Sequence, residues 1–149
     1  MNINTKSFQE LSKLELYQIL QLRTEVFVVE QDCVYQDMDG KDVKALHVIG
    51  SKKNEIIAYT RIFKPGDYME HASIGRVVVR KSERQGGYGK EIMLASINAI
   101  KDNFKETTIH LSAQTYLQKF YSELGFTAVG ETYLEDDIPH ILMVKEGGE

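Results

Sequence analysis

A run of valines that leads through a glycine loop into a helical pattern is the feature that most constrains the fold of this chain. The segment 72–80 contains three consecutive valines, and Gly86, Gly87 and Gly89 follow shortly after it. Apolar residues then recur at helical spacing over residues 92–100. Such a run of β-branched residues is typical of a strand that is buried on both faces near the centre of a sheet. The order of strand, glycine loop and helix therefore predicts an α/β architecture.

The N-terminal part of the chain predicts one helix and one antiparallel hairpin. Ser12 and Glu15 have the spacing of a capping box, which marks the start of a helix. The helical face that follows consists of Leu16, Ile19, Leu20, Arg23 and Phe27. After a polar loop with the turn dipeptide Asp39-Gly40, strands are predicted at 45–49 and 56–63, joined by a short polar turn.

The C-terminal half completes a mixed sheet. A strand at 107–111 follows the second helix, and we expect it to pair parallel with the valine strand through a right-handed crossover. A third helix is predicted at 116–124, where Gly125 would provide a left-handed C-terminal cap. Residues 126–133 and 140–144 predict a last hairpin. The expected fold is α/β (mixed α+β): a twisted mixed sheet, antiparallel in its N-terminal part and parallel at its centre, with helices on both faces.

Size and composition limit the classes of function. With 149 residues and 42% hydrophobic content, the chain predicts a single domain over residues 1–149. A formal net charge of -4 argues against a dedicated nucleic-acid-binding protein. The chain has no signal-peptide pattern and no apolar run of about 20 residues, so we expect a cytoplasmic protein without membrane contact. Cys33 stands alone and the histidines are scattered, so no metal is expected.

The glycine loop has the chemistry of an anion site. Backbone N–H groups at the start of a helix have no intrahelical acceptor, and the helix dipole adds about half a positive charge there. A P-loop is not expected, because Glu91 stands where Ser or Thr would follow Lys90 and Arg84 replaces the first glycine. A dinucleotide fingerprint is not expected either, because Ile92 replaces its third glycine. A loop that binds no ligand stays open as the alternative.

The pattern that remains, Arg-x-x-Gly-x-Gly, resembles the coenzyme A pyrophosphate loop of the GNAT superfamily of acetyltransferases. This resemblance implies that acetyl-coenzyme A (acetyl-CoA) is the cofactor. The residues that it implies for pyrophosphate binding are Arg84, Gln85, Gly86, Gly87, Tyr88, Gly89 and Lys90.

A second segment at 114–126 resembles the GNAT signature Asn-x-x-Ala-x-x-aromatic or aliphatic-Tyr-x-x-x-Gly-Phe. Gln114 and Leu117 replace the usual asparagine and alanine. The resemblance implies that Tyr121 lies beside the coenzyme A sulfur as general acid, and that Gln114 lies near the pantetheine arm. A phenol with a pKa of about 10 stays protonated at neutral pH and can still donate to a thiolate. Core packing of Tyr121 is the alternative interpretation.

Most of the chain is similar to the ElaA-like subgroup of this superfamily. The residues that carry the similarity are the segments 22–23 and 26–31, Cys33, Tyr35, Asp39, Gly40, Asp42, His47, Ala113, Gln114, Gly130, Glu131, Glu135, Asp136 and the segment 138–140. The similarity implies an N-acetyltransferase that acts on a primary amine of a small molecule or peptide. A non-catalytic acyl-CoA-binding or sensing module is the alternative function.

Attack by an amine requires a group that accepts its proton. The candidate bases are Glu30, His47, Glu135, Asp136 and His140. We prefer His140 and Glu30, because the subgroup similarity includes both. The family resemblance also implies that a bulged backbone near Val77, Val78 and Val79 polarises the thioester carbonyl. We expect direct attack rather than an acyl-cysteine route through Cys33, and an exposed sheet edge that would permit a homodimer.

Overall fold

The computed structural model describes residues 1–147 and shows one seven-stranded sheet with helices on both faces. The strands are β1 Asn2–Ser7, β2 Leu46–Lys52, β3 Glu55–Phe63, β4 Ala72–Val79, β5 Ile109–Gln114, β6 Thr127–Glu135 and β7 Ile138–Lys145. The α-helices are α1 Lys13–Arg23, α2 Tyr88–Phe104 and α3 Gln118–Ser122. The strand order is β1-β2-β3-β4-β5-β7-β6, and every neighbouring pair is antiparallel except β4 and β5. The predicted mixed sheet with the valine strand at its centre is confirmed.

Successive side chains along each strand point to opposite faces of the sheet, so the sheet has two buried faces, each covered by a helix. Tyr59 and Val78 belong to the hydrophobic cluster that includes Ile19 of α1. Val48 belongs to the second cluster, which includes Ile92 of α2. The two clusters together form the core, and they fix α1 and α2 on opposite sides of β3 and β4.

The predicted hairpins have tight turns. Lys53 and Asn54 join β2 to β3 with φ values of 53° and 65°, and Asp136 and Asp137 join β6 to β7 with φ values of 51° and 61°. Two successive residues with positive φ are typical of a type I′ turn, whose twist matches that of the flanking strands. Both hairpins expected from the sequence are therefore confirmed.

Three elements differ from the prediction. The first element is the strand β1, which was missed because it is a polar edge strand in which Ile3 packs on the core. The helix predicted to reach Phe27 is α-helical only to Arg23 and continues as a π-helical segment at Thr24–Glu30. The third helix begins as a 3₁₀ turn at Thr115–Leu117, so α3 itself is short. Apolar spacing could not distinguish these helix types, because it records only which residues face inward.

Strand β4 separates from β5 after its first residues. Only Ala72 and Ser73 pair with β5. Farther along, Arg76 and Val77 oppose the single residue Thr60 of β3, and Arg76 has a φ of 50°. This is a β-bulge, which bends a strand and leaves backbone groups out of the ladder. The expected distortion thus begins at Arg76, at the start of the valine run, and beyond it Val77 and Val79 are only partly buried whereas Val78 is buried.

Candidate active site

The separation of β4 and β5 opens a cleft in the middle of the sheet. The strand walls are formed by Ile74, Gly75, Arg76 and Val77 of β4 and by Leu111, Ser112 and Gln114 of β5. The remaining lining comes from the segments around α1 and β3 and from the C-terminal third of the chain: Phe27, Gln31, Tyr35, Arg61, Tyr68, Met69, Leu117, Tyr121, Glu135, Asp136, Ile138 and His140. Residues from distant parts of the sequence therefore converge on one cavity.

Six of the candidate residues predicted from the sequence line this cleft, namely Val77, Gln114, Tyr121, Glu135, Asp136 and His140. Val78 is buried in the cluster under α1 instead. This difference follows from the strand, because successive side chains point to opposite faces of a sheet.

Tyr121 is held by aromatic packing on α3. Its ring meets Phe120 and Phe126 edge to face, with centroid distances of 5.1 Å and 6.2 Å. The side chain is buried, and this burial raises the pKa of Tyr121, with a smaller contribution from Tyr116. Core packing and contact with the cleft are thus both present, and the phenol stays protonated at neutral pH.

The predicted pyrophosphate loop lies between β4 and α2. Residues Lys81–Gly86 form a 3₁₀ turn, and Gly87 precedes α2 with a φ of 76°. No side chain caps this helix, so the N–H groups of its first turn face no side-chain acceptor. A Cβ atom at Gly87 would meet no atom within 4 Å, whereas one at Gly86 would lie 2.6 Å from the ring of Tyr88. Open space thus lies at Gly87, and unpaired N–H groups at a helix start can bind an anion such as a diphosphate.

His140 lies on β7 with a defined ring orientation. Its Nδ1 is 2.6 Å from the carbonyl oxygen of Ile138, and its Nε2 is 3.5 Å from a carboxylate oxygen of Glu135. A carbonyl oxygen only accepts, so Nδ1 carries the hydrogen and Nε2 has the lone pair of the neutral ring. The geometry therefore presents an imidazole base next to a carboxylate at the cleft.

Two other candidate bases are engaged outside the cleft. Both carboxylate oxygens of Glu30 bind Arg84, and this hydrogen bonding lowers the pKa of Glu30. His47 is fully buried, and its ring nitrogens lie 2.6 Å from the Tyr59 hydroxyl and 2.9 Å from the Asp42 carbonyl oxygen.

A buried ionic cluster supports the floor of the cleft. Arg23 binds Asp37 and Asp42 at 2.8 Å each, and Arg61 binds Asp42 at 3.0 Å and Asp39 at 2.6 Å. Burial opposes the ionisation of Asp39, but hydrogen bonds from Arg61 and from the Lys41 backbone, together with the charges of Arg61 and Arg76, outweigh it and hold the pKa of that carboxyl well below its usual range.

Arg76 is a cleft residue that the sequence analysis missed. Its Nη2 donates to the carbonyl oxygen of Asp37 at 2.9 Å, so the bulge in β4 is tied to the loop after α1. The sequence contains one signal of the buried ionic cluster, namely Arg23 on an otherwise apolar helical face. An arginine at such a position requires a buried anionic partner.

Two negative findings concern the described residues. Within residues 1–147, no group of three or more His, Cys, Asp or Glu side chains is placed to hold a metal ion. No helix in the same range is long and apolar enough to cross a membrane.

The family model of the acetyltransferase (GNAT) domain matches residues 8–147. The chain belongs to the GNAT acetyltransferase family. Membership makes it an acyltransferase whose family chemistry is acyl transfer from acyl-CoA. Among relatives, the protein ElaA of Escherichia coli (strain K12) is 44% identical over 139 residues, which are 92% of this chain and 91% of that protein.

Solved structures of GNAT proteins have the same architecture. An acyl-CoA N-acyltransferase from Pseudomonas aeruginosa has a TM-score of 0.91 at 41% identity and covers 98% of this chain and 100% of its own. The crystal structure of E. coli ElaA has a TM-score of 0.90 at 41% identity and covers 97% of this chain and 99% of its own. An aminoglycoside 6′-N-acetyltransferase complexed with coenzyme A shares the fold, with a TM-score of 0.69 at 18% identity over 97% and 96%.

Proposed function

We propose that this GNAT protein transfers the acetyl group of acetyl-CoA to a primary amine of a small molecule or peptide by direct attack, with Tyr121 as general acid. The observation that carries the proposal is the position of Tyr121 on the cleft between β4 and β5. The bulge in β4 lies in the opposite wall, and the uncapped helix α2 begins after the same strand. Bound acetyl-CoA supplies an activated thioester to this arrangement.

Backbone groups of the loop and of β4 would position the cofactor. The N–H groups at residues 85–90 would bind its diphosphate, with Arg84 beside them. Gln114 and the backbone of Val77, Val78 and Val79 would hold the pantetheine arm. An N–H group of the bulged strand would then stabilise the negative charge that develops on the carbonyl oxygen, because it is fixed before the reaction begins.

Tyr121 suits protonation of the leaving sulfur. Burial raises its pKa, which makes the phenol a weaker acid than in water. The same low-polarity surroundings also disfavour a free thiolate, so proton transfer to sulfur keeps its driving force. Tyr121 lines the cleft, and no hydrogen bond to another described residue contributes to its raised pKa, so its hydroxyl is available as a donor.

We assign the general base to His140. An amine with a lysine-like pKa of about 10.4 is neutral in roughly one molecule in 2,500 at pH 7, a cost of roughly 4.6 kcal/mol. The Nε2 atom of His140 can accept the proton directly or through one water, and the carboxylate of Glu135 stabilises the charged ring. Glu30 is less suited, because it does not line the cleft, whereas His140 does.

Replacement of Tyr121 by Phe tests the proposal. A panel of amines is first screened with acetyl-CoA for release of free thiol, and the best acceptor is then used with the variant. We expect Tyr121→Phe to lower kcat by about 10²–10⁴-fold, because that is the usual contribution of a general acid. Coenzyme A affinity, measured by calorimetry, should stay within about twofold, since the hydroxyl makes no contact with the pyrophosphate loop.

Tyr116→Phe is the matched control, because Tyr116 is on the adjacent turn but 72% exposed. Tyr116→Phe should leave kcat and the affinity for coenzyme A unchanged. An unaltered kcat in Tyr121→Phe would remove the acid role. Binding of coenzyme A without thiol release for any amine would instead favour the acyl-CoA-binding module.

A further inference from the structure

Two adjacent residues at the end of the π-helical segment, Glu30 and Gln31, bind two separate residues of the proposed cofactor site. Glu30 forms a bidentate ion pair with Arg84, with Nη1–Oε2 and Nη2–Oε1 distances of 2.5 Å and 2.8 Å. Gln31 forms a reciprocal amide pair with Gln114, in which each Nε2 lies 3.4 Å from the Oε1 of the other. The partners are far apart in sequence, so the tertiary fold brings the two contacts together.

The segment that carries these contacts also forms a wall of the cleft. Phe27, Gln31 and Tyr35 line the cavity opposite the β4 wall. Backbone bonds from Gln31 to Val26 and from Cys33 to Val28, 3.1 Å and 3.0 Å long, are of the i→i−5 type. Such π-type turns are short departures from the α-helix that often occur at functional sites.

We propose that Glu30 and Gln31 are positioning residues that couple the cofactor site to the wall of the cleft that Phe27, Gln31 and Tyr35 form. In this scheme Glu30 holds Arg84, and Gln31 holds Gln114, until the diphosphate and the pantetheine arm compete for the same two side chains. Release of both contacts frees the segment 24–36 to move relative to the cleft that it lines. The inference rests on the proposed function, because it takes Arg84 and Gln114 as cofactor-binding residues.

Both contacts are weak enough to be exchanged. The Arg84 and Glu30 side chains are 39% and 29% exposed, and ion pairs in such surroundings contribute little net stability. The amide pair is long for a hydrogen bond. A diphosphate placed at Arg84 would also repel the nearby carboxylate, so binding of the anion and retention of Glu30 oppose each other.

Replacement of Glu30 by Gln separates this role from that of a base or a purely structural residue. Free coenzyme A is the probe, and its Kd is measured by calorimetry without any reaction. We expect Glu30→Gln to bind coenzyme A about two- to fivefold more tightly, because Arg84 no longer has a competing partner. The gain should vanish in an Arg84→Gln background, as a double-mutant cycle requires for a direct interaction. Glu25→Gln on the same segment is the control and should match the wild type.

Hydrogen–deuterium exchange of residues 24–36 supplies the second readout. Coenzyme A should increase exchange there in the wild type, and Glu30→Gln should show part of this increase without ligand. Unchanged affinity together with unchanged exchange would overturn the coupling and leave the proposed function intact. Weaker binding in Glu30→Gln would also overturn it. Failure of the wild type to bind coenzyme A would instead overturn the proposed function itself.

Discussion

At the scale of single residues, the neighbours of His140 and Glu30 give two potential bases different chemistry. His140 donates from Nδ1 to a backbone carbonyl, so the lone pair of Nε2 is available at the cleft. Glu30 shares both oxygens with Arg84, and that hydrogen bonding lowers its pKa. A base needs access to the acceptor as well as a lone pair, and only His140 has both.

Replacement of His140 by Gln should therefore reduce catalysis. Glutamine can form hydrogen bonds but cannot take up a proton, so kcat/KM should fall by about 10²-fold or more. Steady-state rates with the amine found by the thiol-release screen check this. His110→Gln, outside the cleft lining, should keep the wild-type kcat/KM, and an unchanged kcat/KM in His140→Gln would remove it as the base.

At the scale of elements, the sequence predicted the helices, strands and turns that have a distinctive local pattern of residues. The valine strand, the glycine loop, α2 and both hairpins follow from β-branched runs, glycine spacing and turn residues. Strand β1 has no such signal, because it is polar and owes its position to pairing with β2. The bulge at Arg76 was only implied by family resemblance, since a positive φ at arginine depends on tertiary packing.

Gly87 is the point in the loop where backbone conformation requires glycine. Its φ is 76°, a region that costs a residue with a Cβ about 1–2 kcal/mol. We expect Gly87→Ala to lower the free energy of unfolding by about that amount. It should also weaken coenzyme A binding by about tenfold, which corresponds to the loss of one hydrogen bond to a charged group. Thermal unfolding and calorimetry measure the two effects.

Gly130 offers a matched control for this variant. Its φ is 80°, and a Cβ there would also meet no atom within 4 Å, but it lies on β6 away from the loop. Gly130→Ala should show a similar loss of stability with unchanged coenzyme A affinity. Equal affinity in both variants would show that the backbone at Gly87 does not contribute to cofactor binding.

At the scale of the whole molecule, the buried ionic cluster joins α1, the following loop and β3 beneath the cleft. Asp42 binds both Arg23 and Arg61, which are almost completely buried. Removing one partner from such a cluster leaves an unpaired buried charge, so its members depend on one another. The sequence showed the unusual position of Arg23 but could not identify its partners, because they lie on segments that only the tertiary fold brings together.

Asp39 of this cluster and the neighbouring buried His47 should make the stability of the protein fall in two separate ranges as the pH is lowered. Burial lowers the pKa of folded His47, while an unfolded histidine binds its proton near about 6.5, so acidification below that value favours the unfolded chain. Burial opposes the ionisation of Asp39, but hydrogen bonds from Arg61 and the Lys41 backbone and the charges of Arg61 and Arg76 together lower the pKa of folded Asp39, so a second loss of stability begins below about pH 4. Thermal unfolding between about pH 3 and 8 should show both falls in Tm. The Asp39→Asn variant should have a lower Tm at pH 7, but its Tm should vary less below pH 4. A wild-type Tm that is constant down to pH 5 would contradict the first fall, which is attributed to His47.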